Sequence, residues 1–290
     1  MKPCQSFRCL AQSLIGCLIA GTPLIAGQLP GPPDVAGYGT QVAIDGDTAV
    51  VGAPGEATAL GTYVGAAYVY RRSGDSWVQE AKLTSIAPGA SYAFGTSVAI
   101  DGNLIAVGAG SSVASISSGS VEFFLRNGTT WQWASLFKPD PAPTYFGRLI
   151  AMDNGILAVG DSTANLAAGR VLIYQVNGGS PTGPQFVEAS DGAAGDSFGA
   201  SLALKGSRLV VGAPYHDTDG KADAGAAYLF DVGSLTTFQL AKLKPTDGKA
   251  SDFFGYAVAV DEQRVLVGAP NQSRGGMIDG AAYLFSPNPG

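Results

Sequence analysis

The sequence predicts an all-β fold, a ring of about five four-stranded antiparallel sheets, and three observations carry that prediction. One phrase recurs five times: an aromatic–glycine pair, an apolar run, and a word close to VGAP. The apolar runs are five to seven residues long, rich in Val, Ile, Tyr, Phe or Trp, and bounded by Gly, Pro, Asp or Ser; that is the composition of strands. Glycine makes up 41 of 290 residues, with no three-residue period and no strong helical periodicity after residue 20. Many short strands and turns fit this pattern, whereas collagen and helical bundles do not. With 46% hydrophobic and 14% charged residues, the chain can bury a large core and is too apolar for a disordered one.

The first strand of each unit opens at Tyr38-Gly39, Phe94-Gly95, Phe146-Gly147, Phe198-Gly199 and Phe254-Gly255. The second ends at Gly52, Gly108, Gly160, Gly212 and Gly268, 13 residues after the first glycine in every copy. Between them stand Asp45-Gly46, Asp101-Gly102, Asn154-Gly155 and Lys205-Gly206, pairs that permit the positive φ of a tight hairpin turn. Glu262-Gln263 is a weaker signal in the fifth copy. A third strand follows in GAAYVY, GSVEFF, GRVLIY and two copies of GAAYLF, and a fourth in WVQEAKL, WQWASLF, PQFVEA and FQLAKL. The repeats therefore lie near residues 38–84, 94–137, 146–189, 198–243 and 254–285. One such meander cannot cover both its faces, but five in series can, packed around an axis as the blades of a β-propeller. A linear solenoid would use shorter repeats. The aromatics are expected to wedge between blades, and the small residues to let backbones approach closely. Pro54, Pro214 and Pro270 should stop the second strand, because proline cannot continue a ladder.

These words resemble the FG-GAP repeats of integrin α-subunit propellers and of many bacterial exported proteins, over residues 38–285. The resemblance implies the propeller fold and leaves the activity open, because propellers host unrelated functions. Integrin propellers have seven blades, so this chain departs in number. Only four clear fourth strands are present, and PLIAGQL at 23–29 is the candidate for closing the ring. The resemblance also implies calcium in DxDxDGxxD loops between strands one and two. Here those loops have shrunk to AIDGD, AIDGN, AMDNG, ALKGS and AVDEQ, too short to wrap an ion that takes about six to eight oxygens. Asp45, Asp101, Asp153 and Asp261 accordingly read as turn residues, and no cofactor is expected. Asp217, Asp219 and Asp223 have the alternating spacing of a calcium loop, but Lys221 sits among them and no glutamate follows; they are the secondary calcium candidate. Asp191 with Asp196, and Asp247 with Asp252, read as Asx turns.

Residues 1–20 read as an export segment, with Lys2 and Arg8 ahead of an apolar stretch, and residues 21–290 as a single propeller. Leu14-Ile15-Gly16-Cys17 resembles a bacterial lipobox, which makes Cys17 a candidate lipid anchor. All three cysteines lie within the first 17 residues, so a mature chain would hold no internal disulfide. No later stretch reaches the ~18 apolar residues of a membrane span. A secreted, periplasmic or cell-surface location follows. The net charge of −6 without a Lys/Arg cluster argues against nucleic acid as a partner.

For function, His216 is the only histidine, and neither GxSxG nor HExxH occurs, so an enzyme is not expected. A polysaccharide hydrolase using paired carboxylates is the alternative, and a purely structural ring is the third reading. The loop between strands two and three varies most in length. It should share one rim with the links between blades. On that rim Tyr63, Tyr92, Tyr145, Tyr215, His216 and Arg274 are the candidate binding residues, suited to a protein or glycan ligand.

Overall fold

Each repeat folds as the predicted meander. In the first, β1 (Val42–Asp45), β2 (Thr48–Ala53), β3 (Ala66–Ser73) and β4 (Ser76–Leu83) pair in chain order. The second holds β5 (Phe94–Asp101), β6 (Leu104–Ala109), β7 (Ser120–Asn127) and β8 (Thr130–Phe137). The third holds β9 (Ile150–Asp153), β10 (Ile156–Asp161), β11 (Arg170–Asn177) and β12 (Ser180–Val187). The fourth holds β13 (Ser201–Lys205), β14 (Arg208–Ala213), β15 (Ala226–Asp231) and β16 (Phe238–Leu243). In the fifth, β17 (Ala257–Val260), β18 (Val265–Ala269) and β21 (Ala281–Phe285) pair. A short ladder of β19 (Ser273–Arg274) and β20 (Met277–Ile278) lies in its loop. This is an all-β, five-bladed propeller in a computed structural model that describes residues 29, 31–32, 34–88, 92–110, 119–139, 145–233, 236–274 and 277–286. The export segment at 1–20, Cys17, and all of the proposed closing strand except Leu29 lie outside the described residues. Leu29 packs with Val35 and Tyr38 against the core of the first blade.

The VGAP words make the most buried strands: β2, β6 and β10 are buried at every position. Proline ends the second strand where expected, with β2, β14 and β18 stopping at Ala53, Ala213 and Ala269. In the four complete blades the register of the third and fourth strands shifts at one equivalent place: Val69/Tyr70, Phe123/Phe124, Ile173/Gln175 and Leu229/Phe230. A bulge there adds twist to the outer half of each blade.

Blades are held to one another by the repeated words. Phe94, Phe146, Phe198 and Phe254 are fully buried, and each lies in a cluster shared by two neighbouring blades. Phe94, for example, packs on Val50, Ala67 and Val69 of the first blade and on Val98, Ile105 and Val107 of the second. Burying one such ring contributes roughly 1.5–3 kcal/mol. The VGAP glycine explains itself here. A Cβ on Gly52, Gly108, Gly160 or Gly212 would collide with the carbonyl oxygen of the next blade's Gly95, Gly147, Gly199 or Gly255. The chain can pass this point only without a side chain.

The first turns form a second set of struts. Asp45 Oδ2 accepts from the Gly102 N–H (2.6 Å), Asp101 Oδ2 from Gly155 (2.7 Å) and Asp153 Oδ2 from Gly206 (2.6 Å). Each carboxylate thus caps the turn of the following blade. Lys205 replaces the acid in the fourth blade and points back to Asp153 Oδ1 at 3.1 Å, so the series stops there. Asp261 folds onto its own turn instead, accepting from the backbone of Gln263 and Arg264. Asp45, Asp101 and Asp153 end their strands beside the hairpin turns with an inter-blade partner that the sequence did not disclose, whereas Asp261 stays within its own turn.

Among the described residues, the last blade presents an uncovered copy of the docking surface. In blades one to four the residues facing the next blade, such as Val50, Val69, Phe123, Ile173, Val210 and Leu229, are at most 8% exposed. Their counterparts in blade five, Leu266 and Leu284, are 44% and 63% exposed. A Cβ on Gly268 would meet only Ala257 of its own blade among the described residues.

Candidate binding site

Rim geometry begins with backbone strain that the repeat imposes. Tyr63, Ala167 and Asp223 have φ of 55°, 64° and 52°, and Ala93, Ser197 and Phe253 have 54°, 55° and 54°. A non-glycine residue costs about 1–2 kcal/mol in this region. The strained positions pair off across blades. The N–H of Ala93 donates to Tyr63 O (2.8 Å), that of Ser197 to Ala167 O (2.8 Å) and that of Phe253 to Asp223 O (3.2 Å). The loop between strands two and three is thereby tied to the link entering the next blade, and the two share one rim as expected.

Where the innermost strands begin, this rim encloses a bowl of about 450 Å³. Its floor and walls include Gln41 from blade one and Tyr145, Arg148, Leu149, Ser162 and Thr163 from blade three. Pro214 and Tyr215 from blade four, and Tyr256 from blade five, complete the lining. Below it, the first strands of blades one to four line a channel of about 360 Å³. Tyr215 is 43% exposed and Tyr256 59%. The Tyr215 ring meets Phe253 edge-on at 5.3 Å, and its N–H donates to Asp196 O, so it is held upright. The guanidinium of exposed Arg148 lies over the Tyr145 ring, 5.5 Å from its centre. The Thr163 hydroxyl donates to Asp161 Oδ1 at 3.1 Å.

Of the rim residues expected from sequence, Tyr145 and Tyr215 meet in this bowl. Tyr63 is exposed at 59% on the first blade's loop and does not line it. Arg274 lies in β19 and is described no further. Two expectations are corrected. Tyr92 is half-buried, its hydroxyl 2.5 Å from Ser120 Oγ, because it packs against the core shared by the first two blades. His216 is buried: its Nδ1 lies 3.2 Å from Thr218 Oγ1, and its Nε2 3.3 Å from Lys242 Nζ and 3.5 Å from Asp191 Oδ2.

That histidine belongs to a lock that recurs in different chemistry. In blade one its position is held by Glu56, which accepts from Tyr68 Oη at 2.8 Å and pairs with Lys82. In blade four Asp191 accepts from Tyr228 Oη (2.8 Å) and Lys242 Nζ (2.6 Å). In blade five Asp247 accepts from Tyr283 Oη (2.8 Å) and Gln272 Nε2 (2.9 Å). Burial first, then the hydrogen bond to Asp191, pushes the Tyr228 phenol up, so it stays a donor. Burial raises Asp191 as well, but the bonds from Lys242 and Tyr228 outweigh it and hold the carboxyl below its ordinary value.

The remaining acids are also engaged. Asp196 and Asp252 accept from the N–H of Ala193 and Lys249, three residues back and each at 2.8 Å. They close reverse turns and not the expected Asx turns, whose bond runs two residues on, and Asp191 and Asp247 accept from side chains instead. Asp217 accepts from the Asp223 N–H at 3.0 Å, and Asp219 from Lys244 Nζ at 2.6 Å. No group of three potential metal ligands assembles among the described residues.

The bowl residues that sequence reasoning missed share a signal. Arg148 and Tyr256 directly follow the aromatic–glycine pair, a position that reads Thr40, Thr96, Arg148, Ala200 and Tyr256 across the copies. It varies inside an otherwise constant phrase, as a position facing a ligand would.

No helix among the described residues is long and apolar enough to cross a membrane. A comparison with characterised proteins yields no match. A comparison with protein families matches the FG-GAP repeat at residues 34–70, 77–122, 185–230 and 237–285, more than half of the chain. The matched spans, the five-bladed architecture and the inter-blade role of the aromatic–glycine words agree: this chain belongs to the FG-GAP repeat family.

Proposed function

We propose that this chain is an exported, non-catalytic recognition module of the adhesion type, which takes a protein or glycan ligand in the rim bowl. One observation carries the reading. Tyr145, Arg148, Tyr215 and Tyr256 converge from three blades on one concavity, whereas His216, Asp191 and Asp196 are held in hydrogen bonds within the rim. Amphipathic aromatics on a rigid scaffold contribute contact area at small entropic cost. The described lining carries no carboxylate, which favours binding over glycoside hydrolysis there, since hydrolysis ordinarily needs a carboxylate pair. His216, at a position filled by Glu56 and Gln272 in other blades, is better explained as part of a lock than as a base. Export rests on the basic and apolar character of residues 1–20.

The test compares wild type with a Tyr215→Ala/Tyr256→Ala double variant in glycan-array and pull-down screens, each run with calcium and with EDTA. The double variant should lose the wild-type ligand at an unchanged melting temperature, and EDTA should alter neither. A ligand bound equally by both proteins would exclude the bowl.

A further inference from the structure

The seven ion pairs formed by lysine and arginine among the described residues leave Arg148 out: Lys82, Arg126, Arg170, Lys205, Lys242, Lys244 and Arg264 each have a carboxylate within 4.0 Å. The Arg148 guanidinium instead lies over the Tyr145 ring, and among the described residues it is the only charged side chain lining the bowl. Arg71, Arg72 and Arg208 also have no carboxylate partner, but each donates to an oxygen of Thr48, Gly74 or Glu262, whereas no hydrogen bond ties the Arg148 side chain among the described residues. Contact with one ring covers at most one face of a guanidinium and leaves its N–H edge free. That edge is a planar fork matched to a carboxylate.

The rest of the lining indicates what carries the carboxylate. Leu149 and Pro214 are its main aliphatic groups, and no hydrophobic groove of the kind that grips a peptide is present in it. Instead, the exposed rings of Tyr215 and Tyr256 offer flat apolar faces with hydroxyl tips. Gln41 and Ser162 add polar groups that both donate and accept, and Thr163, whose hydroxyl donates to Asp161, adds an acceptor. Such a surface suits a flat ring bearing several hydroxyls. We infer that the bowl recognises an acidic glycan, seating a uronic-acid unit with its carboxylate on Arg148 and its ring against Tyr215 or Tyr256. This inference rests on the recognition reading given above and adds the ligand's chemical class.

The experiment is calorimetric titration of the full chain with tetragalacturonate, its methyl ester, a neutral galactose tetramer and a tetraglutamate peptide. Tetragalacturonate should bind, and esterification should weaken it at least tenfold. Arg148→Ala should reproduce that loss in wild-type fold, checked by melting temperature. Arg148→Lys should recover only part, since an ammonium keeps the charge without the fork. Equal binding of acid, ester and neutral sugar overturns the carboxylate assignment. So does binding of tetraglutamate alone, or of none of the four. If a neutral sugar or a protein binds and the Tyr215→Ala/Tyr256→Ala variant abolishes it, recognition at the bowl stands and only this inference fails. Tetragalacturonate binding that survives both sets of substitutions removes both.

Discussion

A single hydroxyl shows how closely the repeats can be compared. Tyr174 Oη is buried without a hydrogen-bond partner, its ring packed edge-on against Phe137 and Phe146, and burial pushes its phenol up to about 12. The equivalent positions in blades two, four and five are Phe124, Phe230 and Phe285. Removing a buried hydroxyl that has no partner relieves its desolvation cost, which runs to about 1–3 kcal/mol. Tyr174→Phe should therefore leave stability unchanged or raise it by about 1 kcal/mol in urea titration. Asp191 gives the opposite case. Its carboxyl titrates below the ordinary 3.8 in the folded chain, so its contribution is present above that pH and is lost as pH falls through the folded value. Asp191→Asn should flatten the acid limb of the stability curve below about pH 4 and leave the alkaline limb in place. The side chain is 45% exposed, so solvent screening keeps the effect small.

At the scale of the strand, the same side chain has different weight in different blades. Leu229 lies under the fifth blade and is 8% exposed, whereas its counterpart Leu284 is 63% exposed. Truncating a buried leucine typically costs about 2–5 kcal/mol, and an exposed one changes stability by about 0.5 kcal/mol or less. Leu229→Ala should accordingly melt well below wild type and Leu284→Ala close to it; equal losses would mean that something covers the fifth blade. This contrast was not legible in the sequence, where GAAYLF is identical in both copies. Strand positions, turns and the proline stops were legible, because each has a local chemical cause. The place of Asp45, Asp101 and Asp153 beside the hairpin turns was legible, but their inter-blade partners depend on how neighbouring turns stand in space. His216 was misplaced on the surface for a related reason: its loop is polar, and only the folded arrangement brings Asp191 and Lys242 over it.

The ring as a whole was readable because five units in phase leave few ways to cover their faces. The site was only half readable. Tyr145 and Tyr215 were visible as aromatics in variable segments, while Arg148 and Tyr256 sit inside the motif and pass for scaffold until the innermost strands are seen to converge. Repetition also bears on how such a chain acquires its shape. Every slot for an incoming phenylalanine is made by the unit that precedes it, as Val50, Ala67 and Val69 receive Phe94. A polypeptide emerging amino end first would meet a ready template at each step, so assembly can run as a zipper with mostly short-range closures. Chains shortened after residue 243 should keep amide-exchange protection in the first three blades and lose it at the new end; a uniform collapse would show that the units stand or fall together. Vectorial growth of this kind would suit the export proposed above, in which a chain crosses a barrier unfolded and organises itself on the far side.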